Sequence, residues 1–102
     1  MVLMEFSMTP LDKGASVSTY VARCVDIVDR SGLDYRLNPM GTIVEGPIDQ
    51  VLDVLRRCFD ALASDCARVT CAAKFDYRQG QTSRLDAKIA SVEEKLGRSV
   101  RK

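Results

Sequence analysis

Two stretches of the chain alternate between hydrophobic and polar residues, which predicts two β-strands. The first lies near the N-terminus and ends at Pro10; its hydrophobic positions are Val2, Met4, Phe6 and Met8. The second follows residue 68, and its hydrophobic positions are Val69, Cys71, Ala73, Phe75 and Tyr77. Two shorter segments, 35–37 and 42–45, flank a turn marked by Pro39 and Gly41. This spacing predicts an antiparallel hairpin.

Three other stretches repeat hydrophobic residues every three or four positions, which predicts amphipathic helices. The first carries Val17, Tyr20, Val21, Cys24, Val25 and Val28, with Ser16 as its expected cap and Gly32 at its end. The second starts at Pro47 with Gly46 as N-cap and carries Ile48, Val51, Leu52, Leu55, Cys58, Phe59 and Leu62. The third carries Leu85, Ile89, Val92 and Leu96, with Ser83 as cap and Gly97 at its end. These capping residues are typical of helix boundaries.

The order of these elements is βαββαβ followed by one further helix. Two β-α-β halves joined by a hairpin predict an α+β, ferredoxin-like sandwich with a four-stranded antiparallel sheet. We expect residues 1–97 to form one domain and 98–102 to be a frayed basic tail. The second face of the sheet must be solvated, covered by the last helix, or buried in an oligomer. Because Thr70, Ala72 and Lys74 give the fourth strand a mixed second face, we predict an interface there.

Composition limits the functional classes. The 102 residues are 46% hydrophobic and 28% charged, with a net charge of +1, which is ordinary for a globular protein and provides no field to recruit nucleic acid. No hydrophobic run approaches the length of a membrane span, and the first residues lack the features of a signal peptide. The chain has no histidine, and its four cysteines form no CxxC pair. We therefore expect a cytoplasmic protein with reduced thiols and without a metal, a cofactor or a partner nucleic acid.

Five polar residues stand out on the predicted strands as candidates for chemistry: Ser7, Thr42, Glu45, Asp76 and Arg78. Thr42 and Glu45 are three positions apart, so on a regular strand they point to opposite faces. They share one pocket only if a bulge or the helix entrance redirects Glu45, or if neighbouring subunits share the site. Each residue also has a purely structural explanation, such as strand packing or a favourable position before a helix. No spacing indicates a nucleophile with its base, or a phosphate-binding loop.

Six short segments together resemble the small YkoF-like thiamine-binding proteins, and the resemblance covers almost the whole chain. They are Ser7-Met8-Thr9-Pro10, Ser31-Gly32-Leu33, Pro39-Met40-Gly41-Thr42, Glu45-Gly46, Arg68-Val69 and Asp76-Tyr77-Arg78. The resemblance implies a ferredoxin-like fold and a homotetramer made of two dimers whose sheets pair and pack. It also implies binding of thiamine or its hydroxymethylpyrimidine moiety, in a family for which no catalysis is established.

The resemblance also suggests roles for residues. Glu45 would accept two hydrogen bonds from a protonated aminopyrimidine, and Thr42 or Ser7 would complete the polar edge. Met8 and Met40 would pack on the ring. Asp76 and Arg78 would contact the ligand or a neighbouring subunit. Many family members have a second Asp at the position between these two residues, whereas this chain has Tyr77 there.

Two other functional classes remain open at this point. One is a small cofactor-free enzyme on an oligomeric ferredoxin-like sheet, for which the absence of histidine is unfavourable. The other is an assembly protein in which the turn at Pro39 only fixes the oligomer.

Overall fold

A computed structural model describes residues 1–80 and 84–101 of the chain. Its seven elements follow the predicted order. They are β1 (Val2–Pro10), α1 (Ser18–Arg30), β2 (Asp34–Asn38), β3 (Gly41–Gly46), α2 (Ile48–Ala63), β4 (Val69–Tyr77) and α3 (Arg84–Leu96). The ferredoxin-like α+β fold with an additional C-terminal helix is thus confirmed. None of the helices described is long and apolar enough to cross a membrane.

The four strands form one antiparallel sheet in the order β2-β3-β1-β4. β1 and β3 are central, because the two halves of the fold interleave. The register pairs Leu3 with Glu45 on one side and with Asp76 on the other. β2 and β3 form the predicted hairpin, with Pro39 and Met40 as its two-residue turn.

Helices α1 and α2 pack on one face of the sheet and enclose the core. The hydrophobic face predicted for β1 is buried there, as are the inward sides of both helices. The buried hydrophobic residues are Val2, Met4, Phe6, Met8, Cys24, Val28, Val44, Val51, Val54, Cys58, Leu62 and Cys66. Arg23 joins the two helices, because its guanidinium donates to both Asp65 carboxylate oxygens at 2.8 Å and to the Ala61 carbonyl at 3.3 Å.

Helix boundaries differ from the predictions by one or two residues. α1 begins at Ser18, and Val17, not Ser16, occupies the N-cap position without a side-chain cap bond. α2 begins at Ile48 with Pro47 as N-cap, because Gly46 still pairs with Val2 in the sheet and therefore belongs to β3. The predicted cap at Ser83 lies outside the described residues.

The hydrophobic positions of β4 share one face, as predicted, but that face is exposed. Its hydrophobic positions pair with the core-facing positions of β1, so they point to the helix side. β4 is nevertheless an edge strand, and every residue from Thr70 to Tyr77 is exposed. Phe75 and Tyr77 retain 41% and 65% of their accessible surface. One long edge of the sheet is therefore open to a partner.

α3 lies against β2 and β3 on the face opposite α1 and α2. Cover by the last helix was one of the three possibilities expected for that face, and α3 provides it over β2 and β3. We call this side of the sheet the α3 face. α3 has no buried residue among those described.

Candidate functional site

Thr42 and Glu45 lie on opposite faces of β3. The pairing of β3 with β1 runs without interruption from Thr42 to Gly46, so no bulge redirects either side chain. Thr42 is opposite the core residue Phe6, and it is 7% exposed beneath the helices. Glu45 is opposite Leu3 on the α3 face, and it is 2% exposed. One subunit cannot bring both side chains to one ligand.

Glu45 is buried because the start of α3 lies over it. Its Oε2 accepts a hydrogen bond from the Arg84 backbone N–H at 2.5 Å. The first amides of a helix lack partners within the helix and carry partial positive charge, so a carboxylate there is stabilised. Among the described residues, no buried side-chain nitrogen or oxygen lacks a hydrogen-bond partner. Glu45 is therefore a satisfied group in this structure.

Asp76 holds the side chain of the same arginine. The Arg84 guanidinium donates to Asp76 Oδ2 at 2.5 Å and to the Asp76 carbonyl at 3.2 Å. The hydrogen bond and charge of Arg84 lower the pKa of the Asp76 carboxyl, and the nearby Arg78 adds to this effect. Because Glu45 and Asp76 both pair with Leu3, Arg84 bridges two strands across β1.

Ser7 and Met40 lie farther along the α3 face, where they line a shallow depression of about 350 Å³. Its lining consists of Glu5, Phe6, Ser7, Met40, Ala72, Ala73 and Lys74. Glu5 and Lys74 face each other in the β1–β4 register. Met40 is 88% exposed at the tip of the hairpin. The depression thus offers a carboxylate, an ammonium, a hydroxyl and a thioether to a small polar molecule with an aromatic part.

The predicted residues therefore divide between the two faces. Ser7, Met40, Glu45 and Asp76 belong to the α3 face or its rim. Met8 is buried in the core with Thr42 on the helix side, so neither can line the same surface within a subunit. Arg78 follows the end of β4 and is exposed.

Sequence reasoning did not assign Glu5, Lys74 or Arg84 to the candidate ligand site. The opposite charges of Glu5 and Lys74 become informative only when β1 and β4 are known to be neighbours in this register. Arg84 is 39 residues from Glu45, and no local signal links them.

The cysteines do not add chemistry to this face. Cys24, Cys58 and Cys66 are buried, Cys71 is exposed, and all four are free thiols. Burial is the main cause of the raised pKa of Cys66 and of Cys71. A raised pKa keeps a thiol protonated and weakly nucleophilic. Within ranges 1–80 and 84–101, no group of histidine, cysteine or acidic residues is arranged to hold a metal ion.

A second depression, of about 310 Å³, lies on the helix side. It is lined by Ser31, Leu33, Asp49, Gln50, Asp53, Val54 and Arg57. It contains none of the predicted residues, so we place the candidate site on the α3 face.

Comparison with known proteins gives a consistent family. The profile of the family described as Thiamine-binding protein matches residues 4–93. A UPF0045 protein of Mycobacterium bovis is 37% identical over 96 residues, which cover 93% of this chain and 94% of that protein. A UPF0045 protein of Methanocaldococcus jannaschii is 32% identical over 93 residues, covering 91% and 93% of the two chains.

Solved structures share the fold. The crystal structure of the Methanocaldococcus protein has a TM-score of 0.85 over 91% of this chain and 96% of that chain. A Thermotoga maritima structure, named as a candidate thiamine biosynthesis or salvage protein, has a TM-score of 0.79 at 19% identity. It covers 89% of this chain and 97% of that chain. At that identity the likeness concerns the fold alone.

Proposed function

Because the chain belongs to the thiamine-binding protein family, we propose that it binds thiamine or its hydroxymethylpyrimidine moiety without transforming it. The site is the α3 face, between Glu45 and the depression at Ser7. The protein acts as a carrier, buffer or sensor of the ligand. Its free thiols fit a reducing compartment, and we place it in the cytoplasm.

The observation that carries this proposal is the buried carboxylate of Glu45 on a central strand. A protonated aminopyrimidine presents a ring N–H beside an amino group, and a carboxylate accepts from both at once. Such charge-assisted pairs are strongest where water is excluded. Glu45 has that environment beneath the start of α3, at 2% exposure, and a ligand ring that takes the place of α3 would keep water from the carboxylate.

The length of the face favours a ligand with two rings. Leu3, beside Glu45, and Ser7 are four residues apart on β1, or about 13 Å along the strand. Ile43, which pairs with Glu5 between these two ends, is half-buried, as is Leu3 itself. A pyrimidine held at Glu45 would extend over this hydrophobic strip, and the cationic thiazolium would reach the carboxylate of Glu5. Ser7 and Met40 would then contact the far end of the ligand.

The open edge of β4 supports the oligomeric part of the proposal. Two copies that pair β4 in antiparallel fashion about Phe75 place Lys74 opposite the partner's Asp76, twice in each dimer. This arrangement extends the sheet to eight strands and covers the exposed Phe75 and Tyr77. Two such dimers packed through their sheets form the tetramer. Arg78, which follows β4, lies at this subunit contact.

Titration calorimetry tests the ligand and the site separately. We expect wild-type protein to bind thiamine or hydroxymethylpyrimidine, and Glu45→Gln to weaken binding at least about tenfold because a charge-assisted pair is lost. Glu94→Gln, the same change on an exposed position of α3, should bind as wild type does. Absence of heat with either compound refutes the ligand, and unchanged affinity of Glu45→Gln refutes the site. Mass spectrometry of the recovered compound tests for turnover, which would favour the alternative of a cofactor-free enzyme.

A further inference from the structure

We propose that α3 is a displaceable cover of Glu45, whose carboxylate bonds either to the start of α3 or to the incoming ligand. This inference rests on the proposed function, because it assigns the ligand to Glu45. It adds a regulated step, since the site opens only when α3 releases the carboxylate.

The first reason is that the start of α3 fills the space beside the Glu45 carboxylate. Glu45 Oε2 accepts the Arg84 N–H at 2.5 Å, and the carboxylate is 2% exposed. A carboxylate can accept more than one hydrogen bond, but a ligand that donates two to this one needs the space that the start of α3 fills. The two arrangements therefore exclude each other.

The second reason is that few contacts hold α3 to the sheet within the described part of the chain. Two ion pairs connect α3 to the sheet among the described residues: Arg84 with Asp76 on β4, and Asp86 with Arg36 on β2. Arg36 and Asp86 are 39% and 78% exposed, and such solvent-exposed pairs stabilise weakly. The Arg84 side chain is 11% exposed and that of Asp76 is 59% exposed, so Arg84 is the stronger of the two anchors. Leu85 and Ile89 are only half-buried, while Val92 and Leu96 are 44% and 50% exposed. α3 can therefore separate from the sheet without opening the core, which lies on the opposite face.

Chemical labelling of carboxylates tests the cover without a ligand. Carbodiimide coupling of glycinamide, read by mass spectrometry, gives the labelling rate of Glu45 relative to Glu5, an exposed glutamate on the same face. We expect Glu45 to label far more slowly than Glu5 in wild-type protein. Arg84→Ala removes the anchor to Asp76 while preserving the helix, and should raise the relative rate about threefold to fivefold. Asp86→Ala, which removes the other ion pair, should act in the same direction.

Lys95→Ala is the matched control, because it removes a cation from the far end of the same helix. It should leave the relative rate unchanged. Equal labelling of Glu45 and Glu5 in wild-type protein overturns the inference. So does a relative rate in Arg84→Ala and Asp86→Ala that equals that of Lys95→Ala.

Thiamine titration of the same proteins tests the competition. Releasing α3 should strengthen binding to Arg84→Ala by about the factor seen in labelling. Weaker binding than wild type would mean that α3 forms a wall of the site, and would overturn the inference. Absence of binding in every protein refutes the proposed function, whereas the labelling ratio alone decides whether Arg84 fixes the cover over Glu45.

Discussion

Replacing Gly41 with alanine tests how closely the β2–β3 hairpin approaches β1. A Cβ at Gly41 would lie 3.0 Å from the Phe6 carbonyl oxygen, whereas ordinary contact begins at 3.4 Å. That oxygen belongs to the backbone of a central strand, so the strands must separate. Such overpacking costs about 1–3 kcal/mol, and the lower entropy of the unfolded alanine chain offsets about 0.4–1 kcal/mol. We therefore expect a net loss of about 1–2 kcal/mol in the free energy of unfolding.

Gly46→Ala is the matched control on the same strand. Its Cβ would also lie 3.0 Å from a neighbour, but that neighbour is Leu33 Cδ2, the end of a flexible side chain. Rotation of Leu33 relieves the contact, so the net effect should be within about 0.5 kcal/mol of zero. Urea unfolding of the three proteins at one protein concentration measures both changes. A Gly41→Ala protein as stable as wild type, or less destabilised than Gly46→Ala, would refute the packing argument.

Three further predictions concern the core, the acid range and the open edge. Leu62→Ala should lower the free energy of unfolding by about 2–5 kcal/mol because Leu62 is fully buried. Leu52→Ala, at a site 46% exposed, should lower it by less than about 1 kcal/mol. Equal losses in urea unfolding would contradict the assigned core. The hydrogen bond and charge of Arg23 lower the pKa of Asp65 from 3.8 to about 2. This pair therefore stabilises the fold above pH 3.8, and its contribution is lost as the pH falls through about 2. The urea midpoint of wild-type protein should therefore fall more over this acid range than that of Arg23→Gln. If the two midpoints fall equally with pH, the Arg23–Asp65 pair does not contribute to stability. Phe75→Lys should reduce the mass of the oligomer measured by light scattering, because it places a charge on the open edge strand. Val21→Lys, at a site 40% exposed on α1, should leave the mass unchanged. An unchanged mass for Phe75→Lys would exclude β4 as the interface.

The order of elements could be predicted because each strand and helix carries its own periodicity. Val2, Met4, Phe6 and Met8 must share a face of a strand, and that face is buried. The start of α2 differed by one residue because Gly46 remains paired with Val2. Local capping preferences do not include that long-range pairing.

The sequence indicated that Thr42 and Glu45 point to opposite faces of a regular strand but left open whether a bulge redirects Glu45, and the uninterrupted pairing with β1 excludes that bulge. It did not reveal which face receives a helix. Glu45 is covered because Arg84 and Asp76, far apart from it in sequence, meet beside it. Such contacts depend on where α3 docks, and a helix with no buried residue among those described leaves only a weak pattern to read.

The exposure of β4 shows a related limit. Its alternation predicts a buried hydrophobic face, and its residues do point to the helix side. The two helices cover β1 and leave the outer strand open, so Phe75 and Tyr77 remain exposed. Alternation reports the side to which a residue points, and the surrounding elements decide whether that side is covered.

The most direct test of the central claim is the carboxyl resonance of Glu45 during a thiamine titration. The chain has four glutamates, Glu5, Glu45, Glu93 and Glu94, so protein labelled with ¹³C at the glutamate side-chain carboxyl gives four signals. Glu45→Gln identifies the signal of interest by its loss. We predict that thiamine shifts the Glu45 signal saturably, over the same concentration range in which calorimetry records binding. Thiamine that saturates the protein in calorimetry without moving the Glu45 signal would contradict the assignment of this face as the binding site.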